Sequence, residues 1–323
     1  MIIPSGLIRR TAVILLLAAL PGCNRSPSEP GGSDADDSAP PAGVGLDVRT
    51  LEANAFQRDY RLYTPESANL NRPVTVVMVL HGEPRIDMGV ISGMASHANA
   101  RGFVAAYPNA AFDGDWVHAC DCTANGFRGV NDVEYFQALL ADLEIAFPAG
   151  VDRVFVAGFA EGALMAWKLA CSIPERFNGF AMVSASMWTD AVSTCLGHQP
   201  TPMVIFNGNV DPRFPWEGTS VPVAFGPDQN IVGVVDNVGF WAGQNGCPQG
   251  PIVESLPDQH DDGTSVDRWS WEDCSAPAVF YEIIGGGHPW PGMPIPLDAT
   301  LGRNSLEIDA SDVMIEFFLG PAS

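Results

Sequence analysis

Six apolar runs stand along the chain, and several of them end in a turn signal. Val74 to Leu80 precedes His81-Gly82, Phe103 to Ala106 precedes Tyr107-Pro108, and Val154 to Ala157 precedes Gly158. Phe180 to Ser184, Met203 to Phe206 and Val279 to Ile284 continue the series. Their hydrophobicity is continuous rather than alternating, which predicts strands buried on both faces. Helical spacing lies between them, in Val133 to Ala146 with apolar positions at Val133, Phe136, Leu140 and Leu143, and in Glu161 to Ala170. Strands alternating with helices predict an α/β fold with a mostly parallel central sheet covered by helices on both faces. Ligands of such sheets bind beyond the carboxyl ends of the strands, so residues just after each run are the candidates for chemistry.

The first residues follow a different pattern. Arg9 and Arg10 precede Thr11 to Leu20, a run too short to span a bilayer but suited to the hydrophobic region of a signal peptide. Leu20-Pro21-Gly22-Cys23 then resembles a bacterial lipobox, in which Cys23 would be lipidated and become the mature N-terminus; an ordinary leader with a chance cysteine is the plainer alternative. The following stretch, NRSPSEPGGSDADDSAPPA, holds too little apolar surface to offset the entropy of ordering it. The expected organisation is a lipoprotein signal peptide over 1–22, a lipidated cysteine with a disordered tether over 23–45, and one domain over 46–323. No internal repeat divides that domain.

Charge narrows the function classes. The 323 residues carry a formal charge of -22, which becomes -24 once the leader takes Arg9 and Arg10 with it. Such a chain repels phosphate backbones and anionic lipid, so nucleic acid is excluded as a partner and membrane attachment is expected only through the lipid. Lys168 is the only lysine, and Schiff-base chemistry is set aside. Six cysteines remain after Cys23, an even number in an exported chain, which favours disulfides. Cys171 with Cys195 and Cys247 with Cys274 are the preferred pairs. Cys120 and Cys122 would bond to each other or exchange partners, since spacing alone does not set connectivity. The segment His118-Ala-Cys-Asp-Cys122 shows too few local ligands for a closed zinc site, and neither metal nor cofactor is expected.

The segment from Val154 to Leu164 has the strand, tight turn and helix of a nucleophile elbow, with Gly158 and Gly162 two positions either side of the centre. The central residue is Ala160, and no G-x-S-x-G occurs elsewhere. After Met203 to Phe206 comes Asp211, and after Val279 to Ile284 comes His288 within GGGHPWPG. Elbow, acid and histidine thus follow the chain order of α/β-hydrolases, each after a predicted strand. Singly, Asp211 reads as a turn former before Pro212 and His288 as a loop residue; the coincidence of all three carries the argument.

On these segments the chain resembles the secreted polyhydroxybutyrate depolymerase and feruloyl esterase family of α/β-hydrolases. The resemblance runs from about Val74 to Phe318 and rests on VVMVLHG at 76–82, RGFVAAYPNA at 101–110, NDVEYFQALLADL at 131–143 and VDRVFVAGFAEGALMAWKLAC at 151–171. It continues in VDPRFPWEG at 210–218, NGC at 245–247, GGGHPWPG at 285–292 and EIDASDVMIEFF at 307–318. It implies an α/β-hydrolase fold, Asp211 and His288 as triad acid and base, Ala160 in the nucleophile position, and backbone N–H groups of Glu83 and Glu161 as the oxyanion hole. Two departures follow. Ala160 has no atom that can attack an ester carbonyl. His81-Gly82-Glu83-Pro84-Arg85 replaces the usual Gly- or Cys-rich stretch, and a Glu83 side chain facing the loop would oppose a developing oxyanion, whereas one facing solvent would not.

The resemblance implies an exported carboxylic-ester hydrolase of Ser-His-Asp type, polyester depolymerase or feruloyl or acetyl esterase-like, inactive or nearly so because of Ala160. An engineered substitution, a natural loss and a different hydrolytic route each remain as its origin. The alternative is a non-catalytic ester- or glycan-binding lipoprotein. Trp188, Trp216 and Trp290 follow strand ends and are candidates to line a cleft, with buried core as the plainer reading for each. Neutral polyester, esterified glycan or a small ester is the expected ligand, and the bacterial outer membrane or cell surface the expected location.

Overall fold

A computed structural model describes residues 43–82, 87–118, 128–197, 199–221, 229–295 and 298–321. Cys23, Glu83, Cys120 and Cys122 lie outside the described residues. The chain opens with a hairpin of β1 (Gly45–Ala53) and β2 (Phe56–Thr64), followed by β3 (Val74–Leu80), α1 (Met94–Arg101), β4 (Val104–Pro108) and α2 (Asp132–Ala146). Next come β5 (Val151–Phe159), α3 (Glu161–Ser172), β6 (Gly179–Val183), β7 (Met203–Gly208) and α4 (Val234–Gln244). The domain finishes with β8 (Ile252–Ser255), β9 (Ser265–Ser270), β10 (Ala278–Ile284) and α5 (Ala310–Leu319).

These strands form one sheet in the order β1-β2-β4-β3-β5-β6-β7-β10-β9-β8. From β4 through β3, β5, β6 and β7 to β10 every pairing is parallel, and the strands beyond either end are antiparallel. The parallel core is where continuous apolar runs are expected: every residue of β4, β6 and β7 is buried. The outer strands follow the other pattern. Exposed and half-buried positions alternate along most of β1, and all four residues of β8 are exposed.

Helix α3 packs against β5, β6 and β3, while α4 and α5 pack against β7 and α2 against β1. Two buried ion pairs tie α2 to the hairpin. Arg49 bonds Asp142 at 2.7 Å, which also accepts the Tyr60 hydroxyl at 2.6 Å; burial beside that carboxylate drives the phenol pKa far up, so Tyr60 stays a donor. Arg58 bonds Asp132 at 2.7 Å, and the other oxygen of Asp132 accepts the Val117 N–H at 2.7 Å. That second pair fixes the Trp116–His118 segment over the carboxyl ends of the strands. Disulfides join Cys171 to Cys195 and Cys247 to Cys274. Among the described residues no helix is long and apolar enough to cross a membrane.

Candidate active site

The elbow is set by two glycines. A Cβ on Gly158 would strike the Gly162 carbonyl, and one on Gly162 would strike the carbonyls of Leu80 and His81. Between them Ala160 takes φ +50° and ψ −117°, a conformation that alanine rarely adopts and that costs on the order of 1–3 kcal/mol. The turn is held from both sides. Ala160 N–H donates to the Val183 carbonyl at 3.0 Å, and its own carbonyl accepts from Ala163 N–H at 2.9 Å and Leu164 N–H at 3.1 Å, starting α3. Glu161 is the first residue of that helix, so its amide belongs to the first turn, where no intrahelical carbonyl is available. Its carboxylate lies 3.8 Å from the Arg213 guanidinium.

Asp211 and His288 come from loops after β7 and β10. Here too glycine permits the approach, because a Cβ on Gly208 would collide with the carbonyls of Gly286 and Gly287. One Asp211 oxygen accepts the N–H groups of Arg213 at 2.7 Å and Phe214 at 3.0 Å, which fixes the carboxylate; the other lies 2.8 Å from His288 Nδ1. An ionised carboxylate only accepts, so Nδ1 carries the shared proton and Nε2 presents a lone pair. The imidazole is held by its backbone N–H on the Leu301 carbonyl at 2.7 Å and by the rings of Phe159 and Phe214, with centroids 5.1 and 5.9 Å away. Phe159 immediately precedes Ala160, so the base and the elbow share one wall. Both Asp211 and His288 are 4% exposed.

The His81-Gly82 turn lies against the elbow, where a Cβ on Gly82 would stand 2.9 Å from that of Ala160. His81 Nε2 accepts the Ala110 N–H at 3.0 Å, Nδ1 faces the Gly82 carbonyl at 3.2 Å, and the Trp116 indole donates to the His81 carbonyl at 2.9 Å. Burial lowers the pKa of His81, in keeping with a neutral ring that accepts at Nε2. Neither His81 nor Trp116 is among the residues expected from the sequence, whose only signal was the His-Gly pair after a strand.

The three tryptophans separate. Trp188 is 7% exposed and donates its indole N–H to His118 Nδ1 at 2.9 Å. Trp216 is partly buried and tilts against Phe280 at 6.0 Å. Trp290 packs into the core, 1% exposed, edge-on to Phe159 and bonded through its indole N–H to the Ser311 hydroxyl at 3.1 Å. Its place in the sequence, after a glycine-rich loop, suits either a cleft wall or a core anchor; here it is the anchor for α5.

No family model matches the chain. The protein named "Putative esterase NocK" of Nocardia uniformis subsp. tsuyamanensis is 27% identical over 296 residues, covering 87% of this chain and 85% of that one. "Probable feruloyl esterase C" of Aspergillus flavus is 25% identical over 255 residues, covering 75% of this chain and 82% of that one. Among solved structures, an acetyl xylan esterase from Aspergillus awamori superposes with a TM-score of 0.56 at 17% identity, covering 85% of this chain and 100% of that one. With the sheet order and elbow described above, the chain has the α/β-hydrolase fold and is similar in sequence to proteins named as esterases.

Proposed function

We propose that this chain is an exported protein that receives carboxylic esters in a cleft over Ala160, on the frame of a Ser-His-Asp hydrolase, and that it forms no acyl-enzyme. The observation that carries the reading is the 2.8 Å Asp211–His288 pair beside a strained elbow whose central residue is alanine. In the serine version of this arrangement His288 Nε2 takes the hydroxyl proton, the serine oxygen attacks the carbonyl, and the acyl group passes to the protein before water releases it. Ala160 removes the attacking atom and leaves the base.

What remains is a slow direct route. Water placed over Ala160 gives a proton to His288 Nε2 while its oxygen attacks the ester carbonyl, Asp211 stabilises the imidazolium, and the same proton passes to the leaving alkoxide. The oxyanion hole and substrate binding alone retain roughly 10³ to 10⁴ over the uncatalysed rate in hydrolases that lose a triad member. The Glu161 amide and the loop after Gly82 are the proposed oxyanion donors. Similarity to proteins named as esterases supports a carboxylic ester as ligand; an esterified glycan or a neutral polyester is the proposed class, and Trp188 and Trp216 are the proposed aromatic contacts. The two disulfides support export.

A second reading, a binding protein with no turnover, is favoured by the same alanine. Ala160→Ser separates them: gain of ester hydrolysis and of serine labelling supports a cleft still built for catalysis, whereas ester binding with no turnover supports a binding protein.

A further inference from the structure

A second concavity lies beside α3, beyond the end of β6. It has a volume of about 100 Å³, and its wall includes Leu164, Trp167 and Lys168 from the helix, Met187 and Trp188 from the segment after β6, and His118. Ala160, Asp211 and His288 do not line it. Leu164 and Lys168 are one and two helical turns beyond Ala160, so the cavity runs roughly 6–12 Å down the helix axis from the elbow.

Three rings stand in a wall that also includes the Cys171–Cys195 disulfide. Trp167 stacks on Trp241 with centroids 4.8 Å apart and planes at 16°, and the Trp241 indole donates to Met187 Sδ at 3.0 Å. Trp188 stacks on His118 at 5.7 Å. The polar groups on this wall include the donors of Lys168 and His118 beside the Thr194 hydroxyl and the Gln229 amide. Trp188 Nε1 can only donate, so His118 Nδ1 is the acceptor in their 2.9 Å bond and the proton of the neutral imidazole sits on Nε2. Burial and the nearby ammonium of Lys168 push the His118 pKa down to about 4, which keeps that ring neutral. The Trp167 indole N–H is buried and has no hydrogen-bond partner among the described residues. Lys168, the only lysine of a chain with a formal charge of -22, stands half-buried in the same wall. The carboxylate at this site, Asp190, is exposed at the rim.

Two N–H donors, the Lys168 ammonium and His118 Nε2–H, belong to a wall that also holds aromatic and thioether surface. Leaving a buried donor unpaired is expensive, and an acceptor carried in by a ligand relieves it. A carboxylate supplies both the acceptor oxygens and the charge that Lys168 lacks. We propose that this cavity is a binding site for a small monocarboxylate with a single aromatic ring or a short branched chain, its carboxylate on Lys168 and His118 Nε2–H, its apolar body between Met187 and Trp188. At about 100 Å³ the cavity is smaller than the roughly 150 Å³ that takes up benzene, so a ring bound there extends toward the rim. The site shares Trp188 with the proposed ester contacts, whereas Ala160, Asp211 and His288 lie outside it.

The test uses the full chain in detergent, with benzoate and benzyl alcohol as probes, read by calorimetry and by tryptophan fluorescence. Benzoate is expected to bind saturably and roughly tenfold or more tighter than benzyl alcohol, because only the anion satisfies charged donors. Lys168→Met is expected to weaken benzoate roughly tenfold while leaving benzyl alcohol within about twofold. Equal affinity for the two probes, or an unchanged benzoate affinity in folded Lys168→Met, overturns the proposal. The comparison of probes on the unsubstituted chain needs no variant, and Lys168→Gln serves the same end if Lys168→Met does not fold.

Discussion

Gly158 and Gly162 face each other across the turn at Ala160 so closely that a Cβ on Gly158 would strike the carbonyl of Gly162. The strand and the helix that flank the elbow are therefore in backbone contact, and that contact holds Ala160 at its positive φ. Gly158→Ala is expected to destabilise the domain by about 1–3 kcal/mol or more, through overpacking that backbone alone must absorb. Gly239→Ala, in the interior of α4 with open space around it, is expected to stabilise by about 0.4–1 kcal/mol. Urea midpoints of the two variants check both signs, and a neutral Gly158→Ala would mean that the elbow is not held by this contact.

The site itself is tested at its missing atom. The unsubstituted chain is expected to take no label from a serine-directed phosphonate and to show no burst with a nitrophenyl ester. Ala160→Ser is expected to gain both, with the adduct on residue 160 by mass spectrometry. Adding Asp211→Asn to Ala160→Ser should then lower turnover by roughly 10⁴, because the amide no longer fixes the proton on Nδ1 of His288. If Ala160→Ser binds ester without turning it over, the chain is a binding protein, and the loop that carries Glu83 is where its catalytic competence was lost.

Much of this frame was legible in the sequence, for a physical reason. Val74–Leu80 is a strand as expected, and Val133–Ala146 and Glu161–Ala170 fall within helices, because buried parallel strands and packed helices impose their own periods on apolar residues. The hairpin of β1 and β2 and the pair of β8 and β9 were not expected. Their residues alternate or face solvent, and a search for continuous apolar runs passes over GLDVRTLEA and IVES. Asp211 and His288 could be brought together from chain order, although 77 residues separate them. The hold on His81 could not, since its partners Ala110 and Trp116 stand 29 and 35 residues away, the first at the end of a matched segment and the second outside any, and neither residue type signals a contact with His81. Nor could the sequence tell Trp290 in the core from Trp188 at a cavity, both being tryptophans after a strand end.

Stability should fall in mild acid. His118 has its pKa lowered from 6.5 to about 4 in the fold. Between those values the unfolded chain binds a proton that the folded chain refuses, so stability is full above about pH 6.5, declines as pH drops toward 4, and levels off below. The total for this residue is on the order of 3 kcal/mol. His81, also lowered by burial, adds loss in the same direction. Urea midpoints across that window should slide downward, and His118→Gln should flatten part of the slope. An unchanged slope in that variant would mean that His118 titrates as an ordinary exposed histidine.

Reduction should loosen α3 in particular. Cys171 lies in its last turn and is tied to Cys195, 24 residues on. Closing a loop of that size contributes roughly 3 kcal/mol on a chain-entropy estimate. Cys171→Ser with Cys195→Ser is therefore expected to lower the urea midpoint, and a non-reducing peptide map should show both this bond and Cys247–Cys274. Free thiols at either pair in protein recovered from outside the cytoplasm would count against the oxidised assignment.

The final prediction concerns where the domain sits. If Cys23 carries a lipid, the roughly 20 residues of Pro-, Gly- and Asp-rich chain before β1 give a reach of about 25 Å on a flexible-chain estimate, enough to hold the domain clear of the bilayer. The formal charge of -24 after loss of the leader then works with the tether, keeping the domain off anionic lipid and off polyanionic glycans, and leaving neutral polymers and small esters as what it can meet. Asn24 follows the cysteine in place of the Asp that often retains bacterial lipoproteins at the inner membrane, which favours the outer membrane where a host has two. Fractionation of cells expressing the unsubstituted chain and Cys23→Ser decides it. The first is expected in the outer-membrane fraction and the second in the soluble exported fraction. An unsubstituted chain found wholly soluble, or a Cys23→Ser chain that stays on the membrane, would remove the lipid anchor from the proposal and leave the charge alone to govern which surfaces the domain approaches.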